Sequence, residues 1–225
     1  MGVRAVIFDW GGTLTPWHTI EPRAAWVAAV GDESLADRLL AAEREVWARS
    51  RDHHLSAALP DVFDAAGVRH TDEMLAALSA WWEPHTHLDP DAPGLFAALR
   101  ERDIRIGVLS NTLWSRDEHE RIFERDGVLH FIDGAVYTSE IPWTKPHPEA
   151  FRTALRAVEV DDPTDVVFVG DRPFDDIHGA KSIGMRAVLI PHSDIPEVQK
   201  GPVEGEPDAV IPALADLLAV VDAWQ

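Results

Sequence analysis

A mostly apolar, β-branched stretch over residues 3–8 ends at Asp9 and then a turn at Gly11 and Gly12. This pattern predicts a buried strand that delivers a polar residue at its carboxyl end. Residues 104–109 repeat it and end in Ser110 and Asn111; residues 166–169 repeat it again and end in Gly170 and Asp171. Residues 186–190 predict a further strand, and residues 136–138 a short one. Helical periodicity covers residues 94–102, 116–125, 148–158, 176–184 and 212–224. Strands alternating with helices predict an α/β fold, a doubly wound parallel sheet of Rossmann-like type covered on both faces. In such sheets the ligand lies off the carboxyl ends of the strands, where these polar residues fall.

From about residue 16 to residue 91 the rhythm changes. Residues 21–30, 34–51, 60–66 and 71–82 carry helical periodicity with no strand between them. Leu35, Leu39, Val46 and Trp47 lie along one helical face, and Ser34 and Thr71 are positioned as N-caps. The expected organisation is a core of residues 1–15 and 92–225, with residues 16–91 a helical cap inserted between the first and second motif strands. Residues 199–207, rich in Gly, Pro and Glu, predict a surface loop.

The chain has 225 residues, enough for one domain, or one with an insertion, to bury a sizeable core without cross-links. The formal charge of −19 sets up a field that repels nucleic acid and anionic lipid, so neither is the expected partner. Cysteine is absent, which excludes disulfides, thiolate zinc sites and a cysteine nucleophile. The N-terminal stretch does not match a secretory leader and no apolar run is long enough to span a bilayer. The expected setting is cytoplasmic. Monomer and homodimer fit the pattern equally.

Four segments carry candidate chemistry. Asp9 with the turn through Gly12 and Thr13 can expose a carboxylate while turn N–H groups face an anion. Ser110 and Asn111 can offer a hydroxyl and N–H groups to a phosphoryl oxygen. Lys145 precedes Pro146, His147 and Pro148, and is one of three lysines with Lys181 and Lys200; its compact charge suits a phosphoryl oxygen and a carboxylate together. Asp171, Asp175 and Asp176 put three carboxylates within six residues, mutually repulsive unless a hard cation such as Mg²⁺ sits among them. Asp9 and Ser110 each also read as ordinary helix caps.

In this order, each at a strand end, the four segments resemble the motifs of the haloacid dehalogenase superfamily, and residues 16–91 resemble its inserted cap. The resemblance implies Asp9 as a nucleophile that becomes an aspartyl-phosphate, with Ser110 and Lys145 holding the phosphoryl oxygens. It implies Mg²⁺ held by Asp9, the carbonyl of Gly11, Asp171 and a second acidic residue, for which Asp176 fits better than Asp175. The substrate would be a small phosphorylated metabolite.

One position departs from the pattern. Family phosphatases usually carry an acid/base Asp two residues after the nucleophile, where this chain has Gly11. General acid–base help contributes roughly 10²–10⁴-fold, so Gly11 implies slow turnover, an easy leaving group, or a proton carrier such as His18, His53 or His54. Phosphomutases rely on the missing Asp. Phosphonatases use a cap lysine, and this cap has none. A metal-independent dehalogenase and a catalytically weakened phospho-ligand-binding protein remain as alternatives; the acidic cluster speaks against the first. His85, His87 and Asp89 form a superficial second metal motif. Trp17, Trp26, Trp47, Trp81 and Trp82 suggest a substrate with an apolar or ring portion, most of them being expected to pack cap helices.

Overall fold

The computed structural model describes residues 2–16, 20–191 and 205–225. Trp17, His18 and Lys200 therefore lie outside the described residues, as does most of the 199–207 loop.

Six strands form one parallel sheet in the order β3-β2-β1-β4-β5-β6. They are β1 (Ala5–Phe8), β2 (Arg105–Ser110), β3 (Gly134–Tyr137), β4 (Val166–Gly170), β5 (Arg186–Leu189) and β6 (Ala209–Val210). β1 is central, with Phe8 opposite Val108 on one side and Val169 on the other. Alternate residues serve opposite faces. Val6, Phe8, Val108 and Val169 join one apolar cluster with Leu95, Phe96, Leu217 and Val221. Ala5, Ile7, Leu109 and Phe168 join a second with Ala150, Phe151 and Ala154. Both faces are thus sealed, which is why the strands are apolar almost throughout; each fully buried Phe contributes about 2–3 kcal/mol.

The helices behind these clusters are α5 (Ala92–Arg100), α6 (Arg116–Arg125), α7 (Pro148–Ala157), α8 (Gly179–Ser182) and α9 (Leu217–Ala223). Ser115 caps α6, its hydroxyl accepting from Glu118 N–H at 3.3 Å. Pro148 occupies the first turn of α7, and His147 Nδ1 accepts from Glu149 N–H at 3.2 Å. The stretch read as one helix over residues 176–184 is instead a wide π turn at Pro173–His178 running into the short α8.

Between β1 and α5 lie α1 (Pro22–Val30), α2 (Glu33–His53), α3 (Leu59–Ala65) and α4 (Asp72–Trp82). They gather around a third cluster that includes Trp26, Leu39, Val46, Phe63 and Leu78. Thr71 caps α4 as expected. Asp32, not Ser34, caps α2, its carboxylate accepting from Leu35 N–H at 2.7 Å. The two chain segments linking these helices to the sheet meet where Asp89 N–H donates to Leu14 O at 2.8 Å.

Candidate active site

Asp9 directly follows the central strand, Ser110 ends β2, and Gly170 ends β4 with Asp171 next. Neighbouring strands lie about 4.8 Å apart, so the sheet order alone brings these residues side by side at its carboxyl edge. Asp9 N–H donates to Val169 O at 2.9 Å, which holds it in line with the sheet. The chain then turns: Gly12 adopts φ 88°, a left-handed conformation open to glycine.

Asp9, Asp171 and Asp176 each offer a carboxylate oxygen within 4.8 Å of the others, and all three are buried. Lys145, 3% exposed, reaches into the same space. Its Nζ donates to Asp9 Oδ1 at 2.5 Å and to Asp176 Oδ1 at 2.7 Å. Asp176 Oδ2 also accepts from Arg172 N–H at 2.9 Å. Of the two candidates for the second acidic position, Asp176 therefore joins the cluster, while Asp175 pairs with Arg172 Nη1 at 3.3 Å.

Burial dominates the electrostatics. It pushes the Asp9 carboxyl up to about 6, against the opposing pull of Lys145 and with the repulsion of Asp176. Burial alone would lower the Lys145 ammonium, but Asp176 and Asp9 hold it above its ordinary value. Arg172 is likewise held high, its burial outweighed by Asp171, Asp175, Asp9 and Asp176. Among the described residues, four carboxylates thus face two cations, an excess of two negative charges around a pocket of hard oxygen donors. That charge and that donor set fit a divalent magnesium ion.

Above this floor opens a cavity of about 380 Å³ whose lining includes Asp9, Gly11, Ser110, Lys145 and Arg172. Gly12 and Thr13, expected to contact phosphate, do not line it. Their N–H groups are used inside the turn, Gly12 donating to Thr15 O at 2.7 Å and Thr13 to Trp10 O at 3.3 Å. Trp10 and Gly11 form the wall there instead. Asn111 lines the cavity but directs its amide to the backbone of Lys145. Arg172, which sequence reasoning missed, stands among these carboxylates as the second cation.

Neither His53 nor His54 lines the cavity. His53 is exposed, and His54 ends α2 at φ 55° with its ring 6.3 Å from Phe174. His85 lines the cavity and packs on Trp81, whereas His87 pairs with Asp126 at 3.5 Å, so no metal site forms from His85, His87 and Asp89 among the described residues. Glu43 on α2, which sequence reasoning missed, also faces the cavity.

A family model for haloacid dehalogenase-like hydrolases matches residues 3–184. The chain is similar to the glyceraldehyde 3-phosphate phosphatase of Methanopyrus kandleri, 28% identical across 97% of each chain. Among solved structures, a HAD phosphatase from Thermococcus onnurineus superposes with a TM-score of 0.70 at 22% identity, covering 97% of this chain and 98% of that one. The L-2-haloacid dehalogenase of Xanthobacter autotrophicus superposes with 0.66 at 21% identity, over 99% and 100%. Likeness at this level of identity establishes a common fold.

Proposed function

Since the chain belongs to the haloacid dehalogenase-like hydrolase family, we propose that it is a magnesium-dependent phosphohydrolase of a small phosphorylated metabolite, working in the cytoplasm through an aspartyl-phosphate. The observation that carries this reading is the buried carboxylate trio Asp9, Asp171 and Asp176, with Lys145 bridging two of its members. Helices α1–α4 are read as a cap over the site.

Asp9, Asp171 and Asp176, with the carbonyl of Gly11, would hold the metal, which when bound neutralises charge on the phosphoryl oxygens. Asp9 attacks phosphorus through a carboxylate oxygen; the bond to the alcohol oxygen breaks and that oxygen leaves as an alkoxide, which takes its proton from solvent water. Water then cleaves the aspartyl-phosphate, releasing inorganic phosphate and restoring Asp9. Lys145 and the Ser110 hydroxyl steady the phosphoryl oxygens, and Lys145 lessens the repulsion between the Asp9 carboxylate and a phosphate dianion. Arg172 adds a second positive charge at the same wall.

Gly11 supports a second reading, a metal-independent dehalogenase, because it removes the acid/base group that phosphate esters use. Phosphate release from p-nitrophenyl phosphate separates the two. The expected result is activity abolished by EDTA and restored by Mg²⁺. Hydrolysis of a 2-haloacid undiminished in EDTA would establish the dehalogenase instead.

A further inference from the structure

The cavity of about 380 Å³ is far larger than a phosphoryl group needs, so most of its wall faces the alcohol part of the substrate. Four tryptophans, Trp10, Trp47, Trp82 and Trp114, line that wall, and each is only half-buried. Trp10 and Trp114 are tilted with ring centroids 5.6 Å apart, and Trp114 meets Trp82 edge-on at 6.0 Å.

Set into this aromatic wall is one carboxylate. Glu43 accepts from Trp26 Nε1 at 2.7 Å and from Trp47 Nε1 at 3.4 Å. Both donors are uncharged, and among the described residues no salt bridge balances this half-buried carboxylate. Burial accordingly pushes the Glu43 carboxyl up, the two indole hydrogen bonds and the exposed Arg44 offsetting only part of the effect.

The height of Glu43 above the catalytic floor follows from α2. Glu43, Trp47 and Ser50 recur at helical spacing on one face. The Ser50 hydroxyl hydrogen-bonds the Thr144 hydroxyl at 3.1 Å, which seats that end of the face beside Lys145. Seven residues at 1.5 Å each carry Glu43 about 10 Å further along the helix. This position belongs with the far end of the alcohol, not with the bridging oxygen at Asp9.

We propose that the wall recognises a cation: the substrate is the phosphate monoester of an amino alcohol, with its ammonium group bound by Glu43 and the surrounding indole faces. The inference rests on the phosphohydrolase reading and specifies its substrate class. A cation supplies the opposite charge that a half-buried carboxylate in an apolar wall lacks. The same cation is attracted by the negative faces of the indoles. A neutral alcohol would fill the wall but cover Glu43 with apolar surface, at a cost. Arg44 stands exposed at the rim, where its charge suits the entering phosphate.

The test compares kcat/KM for esters that differ in charge and hardly in shape: choline phosphate against 3,3-dimethylbutyl phosphate, and 2-aminoethyl phosphate against propyl phosphate. The wild-type protein should favour the cationic member of at least one pair by roughly tenfold, mainly through KM. Glu43→Gln, which keeps an acceptor for the indoles, should bring that ratio close to one. Equal efficiency within both pairs overturns the proposal, and so does a preference that survives in Glu43→Gln. Should the variant not fold, the wild-type ratios decide alone. Turnover of p-nitrophenyl phosphate tests the phosphohydrolase reading separately. Should that fail, calorimetry with choline phosphate and its neutral isostere still reads the wall: tighter binding of the cation supports it, equal binding overturns it.

Discussion

Asn111 and Lys145 are joined by a reciprocal pair of hydrogen bonds. Asn111 Nδ2 donates to the Lys145 carbonyl at 3.1 Å, and the Lys145 N–H donates to Asn111 Oδ1 at 2.8 Å. The pair ties the loop after β2 to the segment that leads into α7. Asn111 was expected to contact phosphate; its amide instead fixes the backbone of the residue whose ammonium bridges Asp9 and Asp176.

Asn111→Ala should therefore act on catalysis through Lys145. Misplacing a catalytic group by about 1 Å can cost ~100-fold, so kcat should fall roughly 10–100-fold while KM changes less. Leaving the Lys145 N–H without its acceptor should also cost about 1–3 kcal/mol in denaturant unfolding. A raised KM with kcat intact would return Asn111 to the role of a phosphate ligand.

Gly170 is where Asp176 comes closest to the sheet. A methyl group there would sit 2.3 Å from Asp176 Oδ2 and 2.4 Å from its Cγ. Asp176 is fully buried and held by Lys145 Nζ and Arg172 N–H, so it has no free direction in which to move. Gly170→Ala should displace the carboxylate, lower phosphatase activity about 100-fold and weaken Mg²⁺ binding measured by calorimetry, at a stability cost of about 1–3 kcal/mol. Wild-type activity with unchanged metal dependence would show that Asp176 tolerates displacement.

His119 links acid stability to the floor of the cavity. It is fully buried, stacks on Tyr137 at 4.4 Å, meets Trp10 edge-on at 4.6 Å, and has Nε2 3.0 Å from Thr112 Oγ1. Burial, reinforced by the nearby positive charge of Arg116, lowers its pKa to about 3. The unfolded chain titrates this group near 6.5, so between about 6.5 and 3 the unfolded state binds the extra proton. The stability held by neutral His119 is complete above that window and falls as pH drops through it, at up to about 1.4 kcal/mol per pH unit. Unfolding of His119→Phe followed from pH 7 to pH 4 should lack this component of the acid slope. Parallel slopes for the variant and the wild type would overturn the assignment.

The sheet was legible because burial on both faces leaves near-continuous apolar runs, and these stop at the polar residues of the site. Helix α6 occupies the very bounds its periodicity predicts, Arg116–Arg125. What escaped was set by distant neighbours. β6 is two residues long and exists by pairing with β5; its apolar run, residues 209–211, is too short to announce a strand before Pro212. Glu43 looks like any surface charge on a long polar helix until Trp26, 17 residues away, closes on it. Arg172 gains its role from carboxylates delivered by two different strands. The acidic cluster was readable because repulsion among near neighbours is visible in sequence; the Asn111 clamp was not, since nothing local says that residue 145 will pass by.

Gly11 remains the residue through which the chemistry can be changed most directly. It lines the cavity two residues after Asp9, so a side chain there adds to the wall beside that carboxylate. The left-handed backbone of the turn falls at Gly12; Gly11 is not among the described glycines with positive φ, so an Asp there escapes the usual backbone penalty. Alkyl phosphates need their leaving oxygen protonated, whereas nitrophenolate departs unaided. Gly11→Asp should therefore raise kcat on alkyl phosphates by roughly 10²-fold or more, and change p-nitrophenyl phosphate turnover much less. The new carboxyl would then take the proton from water as it attacks the aspartyl-phosphate. The measurement is the ratio of kcat values for an alkyl ester and p-nitrophenyl phosphate in both proteins, with Mg²⁺ affinity checked by calorimetry. A variant that folds, binds Mg²⁺ and leaves the ratio unchanged would show that the proton already has a carrier. His85, the histidine of the cavity wall among the described residues, would then be the next residue to replace.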